Sequence, residues 1–467
     1  MASPRDQLHA HQFLVQRTVS ALTARETDPE RPRFRRPATA AFAGIGLSLV
    51  LLAGFGVFGL LVPGGNTSWR AGDAVIVEKE TGTRFVYLAG RLHPAANYTS
   101  AVLAAGSAKT VQVSRNSLDG VPRGPVIGIA GAPDALPAAD HLLGPEWSLC
   151  SRPETGTDGS AVSRSVLLAG RVPPGGTPLG DRALLAESAD TGERYVVAGG
   201  FRHRIAAADA VTVGLALRSA SPVRVSPAAG DLLPAGAAIA PIPVPDAGKP
   251  STAVPRRPQL RAGQLLAVRT SGATEYYLAE AERLRPITPV QYDIQRAYPP
   301  TAAAYPDAQP DAVSLSPLDL AEARQAPAPP RQPGDVPAQL PGFATGAVVC
   351  LGFSPDAEAP SVLIDPALDP PDPMTATPGR TAAGTVLADR VVVPPGTAAL
   401  VEAMPSRTAP AGTLALVTDA GRAYPVASRR TLEVLGYGAV TPVRIPAALL
   451  ARVPQGPGLA ENSALSR

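Results

Sequence analysis

The distribution of apolar and polar residues divides this chain of 467 residues into three regions. Near the N-terminus, apolar residues recur at the spacing of one helix face. Residues 38–62 are then predominantly apolar, and no charged residue stands between positions 37 and 68. Beyond position 69, short apolar runs alternate with turns that contain Gly or Pro. The pattern predicts an amphipathic helix, a transmembrane helix and a strand-rich domain, in that order.

The apolar run at 38–62 is long enough to cross a membrane. About 25 helical residues at roughly 1.5 Å each exceed the hydrocarbon thickness of about 30 Å. Arg31, Arg33, Arg35 and Arg36 precede the run, whereas Arg70 is the first charge beyond it. By the positive-inside rule, the N-terminal tail is cytoplasmic and the large C-terminal part lies on the outer side of the plasma membrane.

A cleavable signal sequence is the alternative interpretation of this segment. The tail before the run is long, and the run exceeds the roughly 7–15 apolar residues of a signal sequence. No small-x-small cleavage site closes the run. We therefore predict an uncleaved single-pass anchor. Trp69, just beyond it, suits either an interfacial anchor or packing onto the first domain outside the membrane.

The N-terminal tail has an apolar helix face but no core of its own. Leu8, Val15, Val19 and Leu22 keep a helical spacing, and we expect the neighbouring Phe13 and Leu14 to widen the face. Such a face on a free tail predicts docking on a partner protein or on the membrane surface.

A hairpin signal recurs four times in the C-terminal part. Apolar alternation interrupted by a Gly-containing turn occurs at 77–86, 185–196, 266–278 and 416–426. Each copy is followed by a short helical stretch and a further apolar strand. Three copies then reach a Pro-x-Gly turn, at 122–124, 234–236 and 454–456. The recurrence predicts four repeat domains, each with two hairpin strands, a helical stretch and a final strand.

Two longer similarities indicate that pairs of repeats are themselves duplicated. Cys150 and Cys350 each follow a repeat, and Val-Pro-Pro-Gly at 172–175 and at 393–396 precedes the next one. The predicted fold is α+β and strand-rich. Its parts are a cytoplasmic tail 1–37, a transmembrane helix 38–62, repeat 1 at 69–145, core segment 1 at 146–182, repeat 2 at 183–242, a Pro-rich linker 243–261, repeat 3 at 262–345, core segment 2 at 346–411, repeat 4 at 412–459 and a C-terminal tail 460–467.

Cysteine usage and charge fit a domain outside the cytoplasm. Both cysteines of the chain, Cys150 and Cys350, fall in the C-terminal part, where an oxidising compartment favours a disulfide between them. Two unpaired buried thiols are the alternative. Residues 1–36 hold seven arginines and four acidic residues, so they account for the whole net charge of +3. The neutral remainder offers no electrostatic footprint for nucleic acid.

Signals for catalysis are sparse. The nearest approach to a phosphate-binding loop, Gly248-Lys249-Pro250-Ser251, has a proline within the required spacing, and no Gly-x-Ser-x-Gly elbow is present. The histidines of the C-terminal part lie far apart, and neither cysteine has a ligand neighbour. The sequence predicts no metal, no cofactor and no catalytic residues, and it favours a non-enzymatic protein.

Several blocks of the sequence are specific enough to indicate a family. They are residues 6–17, the Arg cluster with the membrane helix, Trp69-Arg70, 76–86, 92–101, 122–124, 128–137, Trp147 and Cys150. Together these blocks resemble EccB, the B component of the type VII (ESX) secretion machinery of actinobacteria. The resemblance covers essentially the whole chain, although His11 stands where the family more often has an aromatic residue.

The resemblance implies a structural and assembly subunit of an export channel in the plasma membrane. Its implied partners are an FtsK/SpoIIIE-like ATPase, a polytopic channel subunit, a mycosin protease and further copies of the chain, in dimers or higher oligomers. The implied fold is an elongated, pseudo-twofold arrangement of four repeat domains around a central core with a disulfide. Two alternatives stay open, namely peptidoglycan binding by the repeats and the ATPase activity described for some members.

Overall fold

The structure is a computed structural model that describes residues 3–24, 35–61, 67–156, 158–306, 308–340, 342–355 and 357–466. For helix residues 23–24, 35–38 and 58–61 only the backbone is described. The chain forms two compact units, residues 1–70 with 113–120 and residues 71–112 with 121–467.

The first unit contains the helices α1 (Pro4–Ala24) and α2 (Arg35–Leu61). The sequence supplies an N-cap for α1: the Ser3 hydroxyl accepts from the Asp6 amide, and the Asp6 carboxylate accepts from the Ser3 amide. Pro4 takes the first helical position, where no amide donor is needed. Residues 39–57 of α2 are long and apolar enough to cross a membrane, judged by length and composition. Their large apolar side chains are exposed, as a lipid environment requires.

The second unit begins with sheet 1 and then enters a central sheet. Sheet 1 consists of the strands β1 (Val75–Glu78), β2 (Arg84–Leu88), β3 (Arg91–Pro94) and β4 (Thr110–Val113). Helix α3 (Tyr98–Ala105) connects β3 to β4. The central sheet receives β5 (Trp147–Thr155), β6 (Ala161–Leu168) and β7 (Thr177–Pro178). Sheet 2 follows with β8 (Ala183–Ser188), β9 (Arg194–Ala198), β10 (Phe201–Arg204), helix α4 (Ala208–Gly214), β11 (Val223–Val225) and helix α5 (Pro227–Gly230).

The second half of the unit repeats this order. Sheet 3 contains β12 (Leu265–Arg269), β13 (Thr274–Ala279), β14 (Leu284–Ile287), helices α6 (Pro289–Arg296) and α7 (Pro299–Ala302), β15 (Val313–Leu315) and helix α8 (Pro317–Glu322). β16 (Phe343–Ala344) then joins sheet 2, and β17 (Val349–Phe353), β18 (Ser361–Ile364) and β19 (Arg390–Val392) complete the central sheet. Sheet 4 has β20 (Ala398–Met404), β21 (Thr413–Thr418), β22 (Ala423–Pro425), helix α9 (Arg429–Val434), β23 (Val443–Pro446) and helix α10 (Ala447–Leu450), and helix α11 (Glu461–Ala464) follows it.

The four small sheets share one topology. The first three strands form an antiparallel meander, a helix follows, and the fourth strand pairs with the first, which gives the order third-second-first-fourth. The hairpins predicted at 77–86, 185–196 and 266–278 are the first two strands of sheets 1, 2 and 3. The hairpin predicted at 416–426 is formed by the second and third strands of sheet 4, because β20 precedes it.

The third strand of repeats 1, 2 and 3 and the first strand of repeat 4 have no counterpart among the predicted hairpins. Ala89 and Gly90 have positive φ and close the tight turn between β2 and β3, and Gly199 and Gly200 do the same between β9 and β10. Such a turn is a strong hairpin signal. The strands that follow it are only four residues long and rich in basic side chains, so they lack the apolar alternation from which strands are recognised.

The Pro-x-Gly turns lie beside these third strands and pack against them. The amides of Gly124 and Gly236 donate to backbone carbonyls of the third strand in repeats 1 and 2, both at 2.9 Å. The rings of His93 and His203 cover these two glycines, and a methyl group at either position would overlap the ring. The recurring glycine is therefore required by close packing.

The central sheet combines strands from both halves in the order β19-β6-β5-β17-β18-β7. β5 and β17 are antiparallel neighbours, and their register places Cys150 directly opposite Cys350. Each half also contributes an edge strand to the other, since β19 pairs with β6 and β7 pairs with β18. The two halves are therefore intertwined around the cysteine pair.

Repeats from opposite halves pack against each other through their helices. α3 contacts α9 and α11, and Leu103 and Leu432 lie in the core that sheets 1 and 4 share. α4 contacts α6, and Val211 and Ile294 lie in the core between sheets 2 and 3. Each half thus supplies the apolar surface that covers the repeat helices of the other half.

Three segments pack differently from what the predicted boundaries suggest. Ala253, Val254 and Leu260, within the predicted linker 243–261, are buried in the core of sheet 3. Ala464, in the predicted C-terminal tail, is buried in the core of sheets 1 and 4. Sheet 4 begins with β20, inside the predicted core segment 346–411. The boundaries themselves stay predictions.

Candidate functional site

The two cysteines form a disulfide in the middle of the central sheet. Cys150 on β5 and Cys350 on β17 stand directly opposite each other, with Cα atoms 3.9 Å apart, and both are fully buried. The disulfide predicted from cysteine usage is therefore confirmed over the alternative of two thiols. It joins residues 200 positions apart. In the chain-entropy model, closing so long a loop lowers the conformational entropy of the unfolded chain and thereby raises the free energy of unfolding by about 5 kcal/mol.

The central sheet buries its two faces unequally. Trp147, Leu149 and Leu351 face a large core that also contains residues of sheets 2 and 4. The cysteines alternate with these residues along β5 and β17 and so point to the opposite face. There they lie in a small apolar cluster with Val166 and Leu168. The disulfide thus belongs to the less extensively buried face.

Charged and polar groups reinforce the contact between the halves. The Asp389 carboxylate accepts hydrogen bonds from the Ser165 amide at 2.8 Å and hydroxyl at 2.7 Å, and it pairs with Arg164 at 2.9 Å. Arg390 and Glu154 form a two-pronged ion pair at 2.7 and 3.1 Å. These partners are 224 to 236 positions apart, so no local sequence signal indicates them.

Two buried groups attach sheet 4 to its neighbours. The Tyr437 hydroxyl donates to the Pro137 carbonyl at 2.8 Å, and burial raises the pKa of Tyr437 to about 12. Arg452 donates to the Val386 carbonyl at 2.8 Å and lies 3.5 Å from the Asp231 carboxylate, while burial lowers the pKa of Arg452. Sheet 4 is therefore tied to the segment after sheet 1 and to the segment after β11.

The predicted docking residues project from α1. Leu8, Phe13, Leu14, Val15 and Leu22 are 48% to 80% exposed, and Val19 is partly exposed. At about 100° of rotation per residue, Leu8, Val15, Val19 and Leu22 fall on one stripe, and Leu14 lies about 80° beyond Leu22 at its edge. Phe13 lies about 140° from Leu8 by the same rotation and so projects from the other side of the helix. Phe13 therefore does not widen the stripe, and docking by the stripe stays a prediction.

Trp69, which follows the predicted membrane helix, is buried. It lies in a short 3-10 helix, Ser68–Ala71, and has no exposed surface, with the Arg70 guanidinium 5.3 Å from its ring centre. A fully buried indole favours packing over contact with lipid headgroups, and the role of Trp69 in membrane topology stays a prediction. Of the arginines predicted to set the orientation, Arg31 and Arg33 lie outside the described residues, and Arg35 and Arg36 are the first residues of the α2 backbone.

The described residues offer little catalytic chemistry. Among them, no group of three His, Cys, Asp or Glu side chains is placed to hold a metal ion. Lys249 of the incomplete phosphate-loop sequence is exposed and pairs with Asp246 at 2.9 Å. His93 and His203 hydrogen-bond to backbone carbonyls within their own repeats. These contacts account for the side chains structurally.

Comparison with known proteins gives matches along the whole chain. The profile of the family described as "Type VII secretion system ESX-1, transport TM domain B" matches residues 2–467. The "ESX-3 secretion system ATPase EccB3" of Mycolicibacterium smegmatis is 26% identical over 99% of this chain and 90% of its own length. The "ESX-2 secretion system ATPase EccB2" of Mycobacterium tuberculosis is 32% identical over 65% of this chain, and that match spans 61% of the relative.

Solved structures share the fold. The "EccB3 dimer from the ESX-3 core complex" superposes with a TM-score of 0.65 at 26% identity, over 84% of this chain and all of that one (100%). A chain of the "intact ESX-5 inner membrane complex" gives a TM-score of 0.67 at 24% identity, over 100% of this chain and 95% of that one. Together with α2, these folds fit a membrane-anchored protein with a periplasmic domain. Because the family profile matches nearly every residue, this chain belongs to the family described as type VII secretion system ESX-1, transport TM domain B, and its resemblance to EccB is confirmed.

Proposed function

We propose that this protein is a structural and assembly subunit of a type VII secretion complex in the plasma membrane. The observation that carries the proposal is the family match along residues 2–467. A relative of the same fold is described as a dimer from an ESX-3 core complex, which supports a role in assembly.

The proposed orientation has the N-terminus in the cytoplasm and the repeats outside it. Four arginines at positions 31, 33, 35 and 36 stand on one flank of the membrane helix, and one arginine, Arg70, follows on the other. The positive-inside rule assigns the flank with more arginines to the cytoplasm. The Cys150–Cys350 disulfide supports the same orientation, because disulfides persist in oxidising compartments.

The proposed partners are the FtsK/SpoIIIE-like ATPase, the polytopic channel subunit, the mycosin protease and further copies of this chain. The exposed stripe of α1 would provide the contact on the cytoplasmic side, as an amphipathic helix in a groove. On the outer side, the repeats already bury their helices against each other, so contacts there would use strand edges and loops.

Co-purification from native membranes tests the proposal. The full chain, tagged at its C-terminus, is extracted in a mild detergent, and an unrelated tagged single-pass protein serves as the control. We expect the type VII ATPase and the polytopic subunit to co-purify with this chain and not with the control. Recovery of the chain alone, from membranes in which the other subunits still assemble with one another, would contradict the proposal.

The names of the relatives, which call them ATPases, favour ATP hydrolysis as a second candidate function. It is tested by phosphate release from the purified full chain and from Lys249→Ala, which removes the lysine of the nearest phosphate-loop sequence. Hydrolysis that survives stringent purification and is abolished by one substitution would support an ATPase. We expect no hydrolysis above background in either protein.

A further inference from the structure

A loop covers the disulfide-bearing face of the central sheet. Residues 365–378, here termed the strap, contain five prolines and form one short 3-10 turn, Pro373–Thr375. Leu368 of the strap packs against the cluster that holds Cys150 and Cys350. The strap thus supplies part of the cover over the disulfide, together with Val348, Leu363 and Val392.

The strap is attached firmly at its ends and weakly in its middle. Backbone hydrogen bonds of 2.9 Å hold Ala367 near one end and Thr377 near the other. Between them, the Asp369 carbonyl accepts from Arg152 at 3.0 Å, and the Asp369 carboxylate pairs with Arg171 at 2.8 Å. The two side chains of that pair are 75% and 40% exposed, and such exposed pairs contribute little to stability.

The packing beneath the strap is loose. A cavity of about 210 Å³ lies between part of the strap and the sheet, and Val166, Leu168 and Val392 line its sheet side. Most strap residues between 369 and 375 are exposed, so the strap buries little apolar surface. Segments with few buried contacts open locally at much lower free energy than the whole domain.

We propose that the strap is a gate that controls thiol access to the Cys150–Cys350 disulfide. Reduction by an external dithiol begins when its thiolate attacks one sulfur, which forms a mixed disulfide and releases the other cysteine as a thiolate. The second thiolate of the reductant then attacks the mixed disulfide, releases the remaining cysteine and leaves the reductant oxidised. With the strap closed, neither cysteine has exposed surface, so attack awaits opening.

This gate would preserve the covalent link between the halves and still allow it to be broken without unfolding the domain. β5 and β17 remain paired through their backbone hydrogen bonds when the strap opens. A bulky protein dithiol needs a wider opening than a small one, so the gate would discriminate more strongly against protein reductants.

The test compares reduction rates in the purified full chain. Dithiothreitol is added, samples are alkylated over time, and peptide mapping follows the free thiols of Cys150 and Cys350. Asp369→Ala removes the carboxylate that holds the middle of the strap, and we expect reduction about two- to fivefold faster than in the wild type. Arg171→Ala should give the same acceleration, and the double variant no further one.

Asp246→Ala is the matched control, because it removes a comparable exposed ion pair, with Lys249, far from the strap in sequence. It should leave the reduction rate unchanged. Unfolding by denaturant is measured in parallel for each variant. A wild-type rate in Asp369→Ala would overturn the proposal. Equal acceleration in Asp246→Ala would also overturn it. The same holds if the loss of global stability in Asp369→Ala fully explains its faster reduction.

Discussion

The helices of the repeats and helix α1 both carry apolar side chains, but they differ in what covers them. Leu103 on α3 is 1% exposed, because α3 packs against helices of the other half, whereas Leu14 on α1 is 62% exposed. The duplication thus gives each repeat helix an apolar partner inside the same chain. The repeat helices are therefore covered within one chain, whereas we expect the N-terminal helices to be covered by lipid and by other proteins.

Removing the disulfide should give the largest loss of stability on the repeat side of this comparison. We expect the double variant Cys150→Ala with Cys350→Ala to lose about 2–5 kcal/mol of unfolding free energy, because the 200-residue loop is no longer closed in the unfolded chain. Denaturant unfolding of the full chain in detergent measures it. A loss below about 0.5 kcal/mol would show that the intertwined strands suffice without the bond.

The same substitution on the two kinds of helix should have opposite outcomes. Leu103→Ala leaves a cavity in the core shared by sheets 1 and 4, so we expect a loss of about 2–5 kcal/mol. Leu14→Ala, as the matched control, should change unfolding free energy by less than about 0.5 kcal/mol. Equal losses would mean that α1 is also part of a folded core.

Alkaline pH should weaken the repeats before it affects α1. Burial raises the pKa of Tyr195 and Tyr437 to about 12, against about 10 in an unfolded chain. The folded state keeps these protons after the unfolded state has lost them. The contribution of the two protonated tyrosines to the free energy of unfolding is therefore fully present below about pH 10 and is lost between about pH 10 and 12.

Denaturant unfolding at several pH values checks this expectation, with Tyr437→Phe as the variant. Its stability should be lower at neutral pH, because the hydrogen bond to Pro137 is lost, and should fall less steeply above pH of about 10. An identical slope in the variant and the wild type would contradict the role assigned to Tyr437.

Features encoded locally could be predicted from the sequence, and features that depend on distant contacts could not. The membrane helix, the first hairpins of three repeats and the disulfide follow from apolar runs, turn residues and cysteine usage. The Asp389–Ser165 and Arg390–Glu154 contacts do not, since their partners are more than 200 positions apart. Trp69 illustrates the limit: its position just after the predicted membrane helix suits either an anchor or packing, and only the structure shows that it is buried.

The N-terminal helix offers the most direct test of the central claim that its stripe binds another subunit. Leu8→Asp with Val15→Asp places charges on the stripe, whereas Phe13→Asp, about 140° away, places one on the other side of the same helix. Each tagged full chain is purified from native membranes, and the co-purifying type VII subunits are quantified. We predict that the stripe variant loses them, that Phe13→Asp retains them, and that both keep wild-type unfolding of the repeats. Retention by the stripe variant, or equal loss in both, would contradict this account.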